Sequence, residues 1–169
     1  MNSISKPSDH SDCDCKRPTE VADVLLKCKT GCNITVPVTT DDITTNGGTN
    51  RGTTLVSLTI NTKKFKDPCF KFDFAANIIG TDNTTASFQI YKLCKGDRKP
   101  TEFGPAWALS HRVNEIISFF VCDCDCDCDC DKDDCCTYTV VVTVDGQNPL
   151  NVNNPTLSAL VVEKNCRCK

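Results

Sequence analysis

The chain has 169 residues, enough for one domain with its own core. It carries 15 cysteines, about 9 per cent, where a disulfide or metal scaffold becomes the default reading, and the odd count leaves at least one thiol free or bonded outside the chain. The net charge of −3 combines an acidic segment at 122–136 (seven Asp, one Lys) with a mildly basic remainder (18 basic, 15 acidic residues). That balance argues against nucleic-acid binding, which requires a concentrated basic face.

Residues 1–20 are polar, contain Pro7, Pro18 and Cys13-Asp14-Cys15, and read as a flexible connector arm too poor in apolar residues to fold alone. No apolar h-region follows Met1, so no secretory signal is expected. No apolar run of 18 residues occurs, so no membrane insertion is expected.

Residues 21–164 read as strands. Asp23–Cys28 and Cys32–Val38 are short, apolar and separated by Lys29-Thr30-Gly31, which predicts a hairpin turn. Residues 39–52 are a polar loop, and Thr53–Asn61 then places Val56, Leu58 and Ile60 on one face. Cys69–Ile79 points Phe70, Phe72 and Phe74 one way and Lys71 and Asp73 the other, with Pro68 at the strand start, where proline is tolerated. Ala86–Cys94 and Pro105–His111 follow. Glu115–Cys122 is apolar on both faces, which predicts a central buried strand. Beyond the Cys/Asp segment, Tyr138, Val140, Val142 and Val144 share a face, and Leu157–Glu163 is the last strand before the tail 165–169.

No segment holds helical periodicity over three turns. Eight or nine short strands between turn-rich segments predict an all-β fold, an antiparallel two-sheet jelly-roll-like sandwich of about eight strands.

No P-loop, GxGxxG or HExxH is present, and His10 and His111 lack a nucleophile and an orienting partner at any evident spacing. The chain is therefore expected not to be an enzyme and to need no cofactor. Asn33-Ile34-Thr35 and Asn83-Thr84-Thr85 match the glycosylation pattern but mean little without an export signal. Trp107 and Tyr91 are too few aromatics for a sugar-binding platform.

The chemistry rests on cysteine. In Cys122-Asp123-Cys124-Asp125-Cys126-Asp127-Cys128-Asp129-Cys130 five thiols alternate with four carboxylates. In an extended backbone the sulfurs share one face, with neighbours roughly 6.6 Å apart, twice the strand rise. Two such cysteines cannot bridge each other, because a disulfide needs Cβ atoms about 3.5–4.5 Å apart. Their partners must lie on other strands, on other chains or in metal. The same holds for Cys13 and Cys15 in the arm and for Cys166 and Cys168 in the tail.

Cys13 and Cys15 are the candidates for intersubunit disulfides. Cys28, Cys69, Cys94, Cys122, Cys124, Cys135, Cys136, Cys166 and Cys168 are the candidate structural or cross-linking cysteines. The competing reading is a soluble thiolate protein holding zinc or cuprous copper on Cys124, Cys126, Cys128 and Cys130. Against it, structural zinc sites more often use two C-x₂₋₄-C pairs, no C-x-x-C occurs, and the interleaved Asp disfavours the thiolate; Cys28-Lys29-Thr30-Gly31-Cys32 is a C-x₃-C and offers one half-site.

Disulfides persist in oxidising places, yet no export address is visible. Either the thiols hold metal in the cytosol, or the protein leaves by another route, or it is made in a cell that later lyses, as spore-coat material is.

The segments Leu25-Leu26-Lys27-Cys28, Asp67-Pro68-Cys69, Ser118-Phe119-Phe120-Val121-Cys122-Asp123-Cys124 and Cys135-Cys136-Thr137-Tyr138-Thr139-Val140-Val141-Val142 resemble an uncharacterised family of anaerobic spore-forming bacteria, known only as a domain of unknown function. The resemblance spans roughly residues 21–162 and implies no activity. More loosely, the chain is similar to endospore appendage subunits, small jelly rolls whose N-terminal connector carries paired cysteines that cross-link stacked copies. Cys13 and Cys15 match that connector in position and character, although the connectors carry adjacent cysteines and no Cys/Asp run. The resemblance implies a homopolymer on the spore surface or outside the cell, cross-linked through Cys13 and Cys15.

Overall fold

The structure, a computed structural model, describes residues 23–38, 52–65, 68–80, 84–110, 114–124 and 135–163. These form nine β-strands and no helix: β1 (Val24–Thr30), β2 (Ile34–Val36), β3 (Thr53–Asn61), β4 (Pro68–Ile79), β5 (Thr84–Cys94), β6 (Thr101–Ser110), β7 (Asn114–Asp123), β8 (Cys135–Gly146) and β9 (Leu150–Glu163).

Every strand pair is antiparallel. One sheet runs β1-β9-β4-β7, with β2 also on β9, and the other runs β3-β8-β5-β6. β1 pairs with Thr156–Val162 and β2 with Leu150–Val152 of β9, so the two are halves of one broken edge strand. Counted so, eight strands form two sheets of four, ordered 1-8-3-6 and 2-7-4-5. That is the order of a jelly roll, an antiparallel two-sheet sandwich, as the strand pattern predicts.

The break between β1 and β2 departs from the predicted hairpin. Lys29 and Thr30 stay in β1, and the two strands pair with β9 rather than with each other. Gly31 N–H donates to Pro155 O (2.7 Å), beside Asn154 with its φ of 51°, and Asn33 Oδ1 accepts from Asn154 N (2.8 Å). A Cβ on Gly31 would strike the Leu55 carbonyl oxygen, so glycine here permits a close backbone crossing.

Period-2 alternation builds the core. Phe72 and Phe74 of β4, Phe88 and Ile90 of β5, Tyr138 to Val144 of β8 and Leu157 to Val161 of β9 bury alternate side chains between the sheets. In β3 both Leu55 and Val56 are buried, because a bulge between Thr54 and Val56 turns two consecutive residues inward. Rings lock the sheets together: Phe72 lies 4.3 Å from Tyr138 and 5.3 Å from Phe103, and Phe74 lies 6.0 Å from Phe88, between ring centroids. Full burial of such a ring stabilises the fold by about 1.5–3 kcal/mol.

β7 is not the predicted central strand. Among the described residues it pairs only with β4 and forms an edge of the first sheet. Phe119 and Val121 do face the core, but Ile116 is 76% and Phe120 58% exposed. The outer apolar residues that suggested burial from both sides lie on the surface.

Candidate functional site

The register brings the cysteine-bearing parts of the chain to one end of the sandwich. In the first sheet this end holds the start of β1, the end of β9, the start of β4 and the end of β7, since Val24 opposes Val162, Pro68 opposes Glu163, and Phe70 opposes Asp123. In the second it holds the end of β3, the start of β8, the end of β5 and the start of β6, since Asn61 opposes Cys135, Cys94 opposes Cys136, and Lys92 opposes Thr101. The ring contacts of Phe70 and Phe72 with Tyr138 tie the two ends together. Residues 125–134, which include Cys126, Cys128 and Cys130, therefore continue from this end. So do the arm with Cys13 and Cys15 and the tail with Cys166 and Cys168; all of these lie outside the described residues.

Two disulfides stand here, one in each sheet. Cys94 bonds to Cys136, with Cα atoms 4.0 Å apart. The two face each other across β5 and β8, and the flanking bond from Lys95 N to Cys135 O marks a non-hydrogen-bonded pair, the closer of the two antiparallel pair types. Asp97 fixes the end of β5: its Oδ2 accepts from Cys94 N (2.9 Å) and its own N–H donates to Cys94 O (3.1 Å). Both sulfurs belong to buried residues.

Cys69 bonds to Cys124, with Cα atoms 4.4 Å apart. Cys69 is the second residue of β4, and Cys124 follows the last residue of β7. This bond lies on the outward face of the first sheet and is only partly buried.

The first C-x-C of the Cys/Asp run behaves as extended chain. Cys122 and Cys124 do not bridge each other; Cys124 reaches across to Cys69, and Cys122 remains a free, exposed thiol opposite Lys71. Cys135 is free and half-buried, opposite Asn61. Cys28 and Cys32 lie away from this end, both exposed and free; Cys28 sits within β1 and Cys32 in the link to β2. Of the candidate metal ligands, Cys124 is held in its disulfide. No group of three or more His, Cys, Asp or Glu suited to a metal ion occurs among the described residues.

The pairing of Cys69 with Cys124 and of Cys94 with Cys136 was not legible in the sequence. The hint lay in border residues: Cys69 and Cys94 sit at strand ends, as do Cys124 and Cys136. The free thiol of Cys28 on an edge strand was the feature least visible.

A family model described as "Domain of unknown function (DUF4489)" matches residues 22–162. No curated protein matches the chain in sequence. Ten chains of solved structures match it. One, the Eiger TNF from S. frugiperda, is 8% identical, with 83% of this chain and 97% of that chain covered and a TM-score of 0.37.

Proposed function

The chain belongs to the DUF4489 family, and we propose that it is a non-enzymatic structural protein, a self-assembling subunit of a disulfide-cross-linked fibre on the spore surface or outside the cell. One observation carries the proposal. Both disulfides, two of the four free thiols among the described residues (Cys122 and Cys135), and the roots of the arm, the run and the tail gather at one end of a stiff sandwich. A subunit with its thiols concentrated at one pole is built to bond to a neighbour at that pole. The role of Cys13 and Cys15 is to carry the arm's covalent link to another copy. A disulfide between subunits makes dissociation require reduction rather than only dilution.

Two further observations support the setting. Disulfides are the chemistry of oxidising compartments. Among the described residues no helix is long and apolar enough to cross a membrane. Both are compatible with an extracellular or non-membrane location.

Electrophoresis without reductant tests the proposal on the native, purified protein. A ladder or high-mass material that collapses to monomer with reductant is expected, and the double substitution Cys13→Ser/Cys15→Ser should abolish arm-linked species. A monomer without reductant overturns the fibre. Several equivalents of zinc or copper on a fully reduced chain would favour the thiolate metal-binding protein instead.

A further inference from the structure

The two edges of the first sheet carry complementary chemistry. β7 contains neither proline nor lysine, its pairing with β4 runs without a bulge, and its charges, Glu115 and Asp123, stand near its two ends, so the stretch Ile116–Cys122 carries no such block. Its outward row is Ile116, Ser118, Phe120 and Cys122. At the other edge, β1 turns Val24 (61% exposed), Leu26 (71%) and Cys28 outward. Among the described residues no strand pairs with the outer side of β1 or of β7.

Neither edge thiol has a partner within reach in its own sheet. Cys28 is opposite Ser158 and Cys122 opposite Lys71. Strands β9 and β4 separate the two, three strand spacings or about 14 Å. Cys122 and Cys69 stand on a cross-strand diagonal, about 7–8 Å, too far for a disulfide in an unmoved backbone.

Strand direction alternates across β1, β9, β4 and β7. The β1 strand of a second copy, translated to lie beside β7, therefore continues the antiparallel order and keeps the outward faces on one side. The dipeptides then match. With Cys28 opposite Cys122, Lys27 falls opposite Asp123, thiol against thiol on the outward face and ammonium against carboxylate on the inward one. Leu26 falls opposite Cys124 and Thr30 opposite Phe120.

We propose that β7 of one copy pairs with β1 of the next, and that Cys122 of the first and Cys28 of the second close a cross-strand disulfide. Both disulfides within the molecule already join directly opposed residues of neighbouring antiparallel strands. Cys28 turns its N–H and C=O to the free edge, so the new bond spans the wider, hydrogen-bonded pair type, whose Cα separation of about 5.5 Å a disulfide accepts. In closing it, the two thiols lose two protons and two electrons to a low-molecular-weight disulfide, which is reduced to two thiols. The contact is head-to-tail, so it propagates into a ring or an open helical filament. It rests on the reading of the chain as a self-assembling subunit and adds a lateral contact that does not use Cys13 or Cys15.

The test uses the full chain with Cys13→Ser/Cys15→Ser. Equal amounts of ¹⁴N- and ¹⁵N-labelled protein are mixed, oxidised with oxidised glutathione, digested unreduced and read by mass spectrometry. A Cys28 peptide joined to a Cys122 peptide is expected, with half of the joined pairs carrying one label of each kind. Adding Cys28→Ser or Cys122→Ser alone should abolish that peptide, and mixing the two variants should restore it as a single linked pair. Asp123→Lys should slow linking about tenfold by opposing Lys27, and Lys27→Glu on the partner copy should restore it. Links only between like residues, or no mixed-label pairs, overturn the lateral contact. If the unsubstituted protein still polymerises reducibly, the fibre reading stands without it. If only the Cys28–Cys122 link forms, the arm-linked fibre falls and the lateral assembly remains.

Discussion

Cys124 and Cys136 flank the same chain segment, 125–134, and each is bonded into a different sheet: Cys124 to Cys69 of β4, and Cys136 to Cys94 of β5. The acidic, cysteine-rich segment is thus rooted covalently on both sides of the sandwich. The two bonds differ in access. The Cys94 and Cys136 residues are buried, whereas Cys69 and Cys124 lie partly exposed on the outer face.

That difference predicts an order of reduction. Titrated with increasing dithiothreitol in the native state, Cys69–Cys124 should open first and Cys94–Cys136 only with unfolding. Differential alkylation with peptide mapping reads the order directly. Simultaneous opening would mean that access does not govern these bonds.

Each bond should also carry stability through the unfolded chain. The sequence separations are 55 for Cys69–Cys124 and 42 for Cys94–Cys136. By loop entropy, removal of either one should cost about 4 kcal/mol, somewhat less where the other bond already restricts the same chain. Urea unfolding of Cys94→Ala/Cys136→Ala against the parent protein measures it.

Phe119 and Phe120 are adjacent in β7 and should respond oppositely. The Phe119 ring is buried, 5.1 Å from Phe74 and stacked 5.4 Å from Trp107. The Phe120 ring is on the surface with Lys71 Nζ over it at 5.6 Å. Phe119→Ala is expected to lose about 3–5 kcal/mol. Phe120→Ala should lose under about 1 kcal/mol, mostly the cation–π contact. Equal losses in urea melts would place β7 in the interior after all.

Gly104 of β6 has a φ of +71°, and a Cβ built on it would sit 2.5 Å from Val121 Cγ1. The strand bulges here, so that Gln89 Nε2 donates to the carbonyls of Phe103 (3.3 Å) and Gly104 (3.1 Å). Gly104→Ala is expected to destabilise by about 1–3 kcal/mol from the backbone conformation alone, and the Val121 clash adds to it. An unchanged melting temperature would refute the strain.

Much of the strand content was legible from alternation, because a half-buried strand writes its two faces into every second residue. Phe70-Lys71-Phe72-Asp73-Phe74 and Tyr138 to Val144 announced both their state and their inward face. β7 misled for the converse reason: Ile116 and Phe120 have the composition of buried residues but sit on an open edge, and composition does not record which neighbour is missing. Lys29-Thr30-Gly31 misled because a glycine that lets two backbones cross has the same local signature as a glycine in a turn.

Local pattern by itself therefore determined that the chain is all-β, which residues face inward in most strands, and that extended C-x-C pairs cannot close on themselves. Only the tertiary structure decided which strands are edges, that β1 and β2 share the flank of β9, and that Cys69 meets Cys124 while Cys94 meets Cys136. Periodicity is a property of neighbours along the chain. Pairing joins residues 42 and 55 positions apart, or, between Val24 and Val162, nearly the whole length of the described chain. Such partners are chosen by the packing of two complete sheets, which no single segment contains.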